Sequence, residues 1–267
     1  MIRHRGCPIH YTVRGQGPAV LFIQGVGVHG EGWRPQVDEL APDFACITFD
    51  NRGVGRSAPA GASVTVEQMA DDARAVLEAA GFESAHVVGH SLGGLVALQL
   101  ALDTRARVQS LTLMCTFASG RAAAPLTPRM VWAGVRSRVG TRAMRRRGFL
   151  SIILPPGHVP DPDALAANLA PLFGHDLADQ EPITGLQLKA MRRSDVSARL
   201  PELAGLPTLV MSAVHDPIAP PRITRALADG IPGARYLEAD DASHGLPITH
   251  AAWVNARVRE HLGVVRS

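Results

Sequence analysis

With 267 residues, 46% of them hydrophobic and 19% charged, the chain can bury a full core and is too apolar to be intrinsically disordered. A formal charge of +3 is too small to make nucleic acid or an anionic membrane the default partner. The 26 glycines and 20 prolines are spread along the sequence and mark turns, which excludes a low-complexity chain.

Nearly all basic residues are arginine, and the densest stretch runs from Arg136 to Arg147. No aromatic residues interleave there for base stacking, so it reads as the solvated face of a helix, with no nucleic-acid or membrane partner expected. Cys7, Cys46 and Cys115 show no metal-ligand spacing. Cys46 and Cys115 sit in apolar runs, as core thiols in a reducing compartment do. The basic residues Arg3 and Arg5 are followed by no apolar stretch, and no run approaches a membrane span, so a cytoplasmic protein is expected.

Taken in chain order, short apolar runs alternate with helix-period segments, the pattern of a parallel sheet with crossover helices. Pro18 to Gln24 reads as a buried strand ending in the glycine-rich loop Gly25-Val26-Gly27. Phe44 to Asp50 is a second strand, Val64 to Ala80 a helix stopped by Gly81, and Ala85 to Gly89 a third strand. A helix from Leu92 to Leu102 and a strand from Val108 to Met114 follow. The rhythm then breaks. Residues 121–200 show only helical stretches split by prolines, before strand character returns at Pro207 to Ala213 and Ala234 to Glu238, with a last helix from Ile248 to Leu262. Because the chain leaves and re-enters one sheet, 1–120 and 201–267 are expected to form a single core, with 121–200 as a helical cap.

Gly89-His90-Ser91-Leu92-Gly93 has the form G-x-S-x-G and lies between a strand and a helix, as a nucleophile elbow requires. A serine on so sharp a turn takes a strained backbone, and side chains two positions away on either side would collide. Its hydroxyl needs a base. Among 11 histidines, His244 stands out because it follows the last strand and precedes the last helix, at the same sheet end as the elbow. Asp216 comes directly after the strand ending at Ala213 and completes the order serine, acid, histidine. Asp240 and Asp241 are rivals, but lie too near His244 along the chain to reach it easily from a strand end. The oxyanion of an acyl-transfer intermediate needs preorganised amides. The Leu92 N–H, just after the nucleophile, and the Val26 N–H, in the loop after the first long strand, are the candidates.

Three segments resemble the α/β-hydrolase superfamily that includes carboxylesterases, enol-lactonases, cofactor-free haloperoxidases and C–C bond hydrolases. Asp50 to Ser57 is similar to its D-x-R-G-x-G-x-S segment, Gly89 to Gly94 to its elbow, and Asp216 with Pro220 to its D-x-x-x-P acid loop. The resemblance implies an α/β fold, a mostly parallel central sheet flanked by helices, with the helical cap between two late strands. Gln24-Gly25 departs from the usual His-Gly, which brings Gln24 within reach of the pocket. Ser91 in place of aspartate argues against epoxide hydrolase and haloalkane dehalogenase chemistry.

These readings predict a serine hydrolase that forms an acyl-enzyme from a carboxylic ester or lactone of a small molecule and requires no metal or organic cofactor. Alternatives on the same triad are a C–C bond hydrolase or a biosynthetic acyl transferase or cyclase. A more remote one is a binding protein that keeps the fold without turnover. Phe117, Trp132, Phe149 and Phe173 are candidates for an apolar acyl site. Oligomeric state has no signature in the sequence.

Overall fold

The computed structural model describes residues 1–60, 64–123, 132, 134–157 and 159–264. The strands are β1 (Ile2–His4), β2 (Cys7–Ile9), β3 (Tyr11–Arg14), β4 (Ala19–Ile23), β5 (Ala45–Phe49), β6 (Ala85–His90), β7 (Val108–Met114), β8 (Thr208–Ala213) and β9 (Arg235–Ala239). β1 and β2 pair as a small ribbon, and the other seven form one sheet in the order β3-β5-β4-β6-β7-β8-β9. Only β3 runs antiparallel, against β5.

Side-chain alternation divides the core between the two faces of this sheet. On β4, Leu21 and Ile23 pack on one side while Val20 and Phe22 pack on the other, and on β6 Val87 and Val88 divide the same way. Both faces being covered, the central strand β4 is a continuous apolar run without polar alternation. The crossover helices include α1 (Arg34–Leu40), α2 (Val66–Ala79) and α3 (Leu92–Asp103). Thr65 caps α2 in a reciprocal arrangement with Gln68. β1, β2, β3 and α1 carry no sequence signal of their own. The three strands are only 3 or 4 residues long, and α1 has 7.

Between β7 and β8 the described elements are α4 (Arg142–Ile153), α5 (Pro162–Phe173), α6 (Thr184–Arg193) and a 3₁₀ turn at Ser197–Leu203. No strand occurs there among the described residues. α4 and α5 share a separate small core of Leu150, Ile153, Ala166, Leu172, Phe173 and Leu177. In the arginine-rich stretch, Arg142 pairs with Asp179 at 2.9 Å and Asp176 at 3.0 Å, and Arg146 pairs with Asp163 at 2.9 Å and with Asp176. After β8 come α7 (Pro221–Gly230), the short α8 (Leu246–Thr249) and α9 (Ala251–Val264). The single final helix expected from the sequence is thus two helices broken at His250. Among the described residues no helix is long and apolar enough to cross a membrane.

The Asp50–Ser57 segment serves as scaffold beside the site. Asp50 accepts from the Gly30 amide at 2.8 Å through Oδ1 and from the Arg56 amide at 3.2 Å through Oδ2. Arg52 is buried and bidentate to Asp72, at 2.7 and 2.8 Å. Removing one partner of such a pair leaves an uncompensated buried charge. Arg52→Ala is therefore expected to cost about 3–5 kcal/mol, read as a lower urea midpoint, with activity per folded molecule unchanged.

Candidate active site

β6 ends at His90 and α3 begins at Leu92, so Ser91 occupies the turn alone, with φ 55 and ψ −123. Positive φ is strained for a residue with a Cβ. The surroundings hold it there: the Ser91 N–H donates to the Met114 carbonyl at 3.0 Å, and Thr116 Oγ1 donates to the Ser91 carbonyl at 2.6 Å. The flanking glycines are required by contact. A Cβ on Gly93 would lie 2.0 Å from the Ile23 carbonyl oxygen, and one on Gly89 would lie 2.5 Å from that of Gly93.

His244, on the loop after β9, places Nε2 at 3.0 Å from Ser91 Oγ and Nδ1 at 2.9 Å from Asp216 Oδ2. Asp216 follows β8 and is buried. Its Oδ1 accepts from the Ile218 and Ala219 amides at 2.7 and 2.9 Å. Burial by itself would raise its pKa, but the charge and hydrogen bond of His244, with the two amides, outweigh burial and hold it below the ordinary carboxylate value. Asp241 lies elsewhere, 3.3 Å from His250. The sequence-derived serine, histidine and aspartate thus meet in one chain of contacts.

Leu92 is the first residue of α3, and its N–H belongs to the set that has no intrahelical acceptor. Val26 lies on the loop after β4, which comes close to Ser91: a Cβ on the adjacent Gly25 would be 3.2 Å from Ser91 Cβ. Gln24 Oε1 accepts from the Gly25 N–H at 3.1 Å, so this side chain is turned back onto its own loop although it borders the cavity.

His90, inside the elbow motif, has a role that the motif does not disclose. Its Nε2–H donates to the His244 carbonyl at 2.8 Å, and the two rings lie 4.9 Å apart. Burial, then the neighbouring His244, lowers its pKa to about 3 from 6.5. Between those two pH values the unfolded chain binds a proton that the folded chain refuses, so stability falls as pH drops below 6.5. The expected slope from this residue is about 1.4 kcal/mol per pH unit. Denaturant melts of wild type and His90→Gln at stepped pH check it, because the variant should lack this part of the acid loss.

A cavity of about 530 Å³ opens over Ser91 and His244. Its apolar wall includes Val28, Phe149, Ile152, Phe173, Leu188 and Ile248. Phe149 and Phe173 pack edge to face with centroids 5.2 Å apart, so two of the four expected aromatics border it. The other two expectations are corrected. Phe117, three residues past the end of β7, is fully buried in the core cluster that also holds Met191 and Val196. Trp132 is 57% exposed, and Arg136 stands over its ring at 5.5 Å. Leu188 and Ile218 were not singled out in the sequence, since nothing distinguishes a cavity-facing aliphatic from a core one.

Fold and site together define an α/β-hydrolase enzyme. The family model described as alpha/beta hydrolase fold matches residues 18–251, and the chain belongs to that family. A protein of Azorhizobium caulinodans provisionally named carbamate hydrolase RutD is 32% identical over 240 residues, 88% of each chain. Among solved structures, the enol-lactonase from Burkholderia xenovorans LB400 is 26% identical with a TM-score of 0.81, covering 97% of this chain and 98% of that one. A thermophilic esterase from Thermogutta terrifontis is 26% identical with a TM-score of 0.78, covering 98% and 95%.

Proposed function

We propose that this hydrolase cleaves a carboxylic ester or lactone of a small, largely apolar molecule through an acyl-enzyme on Ser91. The observation that carries the reading is the Ser91–His244–Asp216 chain, with contacts of 3.0 and 2.9 Å, opening onto an apolar cavity of about 530 Å³. Ser91 Oγ attacks the acyl carbon as His244 Nε2 takes its proton, and the carbonyl oxygen becomes an oxyanion facing the Val26 and Leu92 amides. Collapse of the intermediate expels the alcohol, which takes the proton back from His244. A water deprotonated by His244 then attacks the acyl-enzyme, and the acid leaves with Ser91 restored. Asp216 keeps Nδ1 protonated and offsets the charge on the imidazolium. In this reading 121–200 form a cap that supplies the outer wall of the acyl site, and neither nucleic acid nor membrane is a partner.

A carbamate is the second reading, favoured by the name of the 32% identical relative. Its carbonyl presents the same geometry to Ser91. C–C bond cleavage and acyl transfer employ the same three residues and differ in the leaving group or in the final acceptor.

The test is labelling with a fluorophosphonate probe, together with hydrolysis of p-nitrophenyl esters of increasing chain length, a simple lactone and an aryl carbamate. Labelling confined to Ser91 with ester or lactone turnover supports the proposal. Faster carbamate turnover selects the second reading. An unlabelled protein that binds the esters without cleaving them sinks both.

A further inference from the structure

The loop that carries the Val26 amide is held from outside, by the helical segment between β7 and β8. Gly27, one residue beyond Val26, has both backbone polar groups taken by side chains from that segment. Its N–H donates to Gln187 Oε1 at 2.9 Å, and its carbonyl accepts from His175 Nε2 at 3.2 Å. Two further ties lie alongside: His29 Nε2 meets Glu181 Oε1 at 2.7 Å, and the His29 N–H donates to the Phe173 carbonyl at 3.4 Å. Gly27 has φ +67, a conformation that glycine enters and leaves without steric penalty. The hydrogen bonds, rather than the residue's own sterics, therefore fix the backbone here.

Gln187 is fully buried on α6, and its Nε2 has no hydrogen-bond partner among the described residues. A buried amide with an unmet donor is costlier than an aliphatic side chain of that size. Among the described residues, the side-chain hydrogen bond that this glutamine makes is the one to Gly27, next to Val26, which borders the same cavity as Ser91. Orienting the Val26–Gly27 peptide sets the ψ of Val26, and with it the path of the loop past the nucleophile.

We infer that Gln187 is a positioning residue of the oxyanion hole, and that the hole is complete only while the helical segment sits on the loop. This rests on the serine-hydrolase reading above. Oxyanion donors act through preorganisation, and a displacement on the order of 1 Å costs about 10²-fold. The same segment also grips the base-bearing loop: the Gly245 N–H donates to the Ile153 carbonyl at 3.0 Å, and Ser243 Oγ donates to that of Ile152 at 3.0 Å. Seating the segment thus orders the donor side and the base side together.

The experiment compares wild type, Gln187→Met, which has similar volume and no acceptor, and Gln187→Glu, which keeps one. For each, kcat and KM on the best p-nitrophenyl ester, the second-order rate of Ser91 phosphonylation and the melting temperature are measured. The expected result for Gln187→Met is a fall of about 10²-fold in kcat and in phosphonylation rate, with KM within about threefold. Gln187→Glu is expected to recover most of that loss. His175→Phe, which frees the Gly27 carbonyl and gives up the 2.9 Å contact with the Asp176 carbonyl but leaves the Gln187 bond in place, should fall between the two and serves if Gln187→Met does not fold. Gln187→Met with wild-type rates overturns the inference. So does a loss shared by kcat and KM that follows the melting temperature and that Gln187→Glu does not repair. Failure of wild type to label at Ser91 rejects instead the serine-hydrolase reading beneath it.

Discussion

Replacing Ser91 with alanine is expected to lower turnover of any cleavable ester by about 10⁴-fold or more, while the protein stays folded. The change deletes one oxygen and no packing volume that the core needs. The Met114 and Thr116 hydrogen bonds to the Ser91 backbone involve the N–H and C=O, which alanine keeps. The elbow should therefore persist at φ 55 with only His244 Nε2 losing its partner. Burst and steady-state kinetics with a chromogenic ester, beside a thermal melt, measure both halves of the expectation. An Ser91→Ala protein with wild-type turnover would falsify the acyl-enzyme mechanism.

Asp216→Asn is expected to cost nearly as much, about 10³- to 10⁴-fold in kcat, for a reason of proton placement rather than of charge alone. Oδ1 of Asp216 accepts from the Ile218 and Ala219 amides, so the amide oxygen of asparagine takes that position. Its NH₂ then takes the Oδ2 position, 2.9 Å from His244 Nδ1, while the oxygen left at 3.0 Å from Nδ1 is the one already accepting from two amides. An imidazole that must accept at Nδ1 carries its proton on Nε2 and points a donor at Ser91 Oγ, the reverse of what a base requires. Binding of uncleaved product should change little, so the loss belongs in kcat. A variant that instead raised KM alone would assign Asp216 to substrate binding.

The family membership and the placement of Ser91, His244 and Asp216 beside one another leave chain length, leaving group and acceptor as the questions that set the substrate. A graded ester series addresses the first directly. The cavity's aromatic pair, Phe149 and Phe173, lies on α4 and α5, so changes there should shift chain-length preference through KM while the Ser91–His244 contact stays in place.

Much of this was legible in one dimension because the physics is local. A buried parallel strand favours a short apolar run, and Ala19–Ile23 is one, as is Ala45–Phe49 apart from Thr48. A strained elbow must clear its neighbours, so glycine at 89 and 93 announces it. The order serine, acid, histidine then selected Asp216 and His244. What escaped was either too short to make a pattern, as with the three N-terminal strands, or not local at all. Phe117 and Phe149 are alike in the sequence, yet one is core and the other wall, since an apolar side chain gains the same burial against either. Gln187 is an ordinary glutamine until folding brings it to Gly27, 160 residues away. Backbone strain and strand periodicity are written in neighbouring residues, whereas the cavity and the grip on the loop at Val26 and Gly27 arise from packing between segments far apart in the chain. Only the tertiary structure decides those.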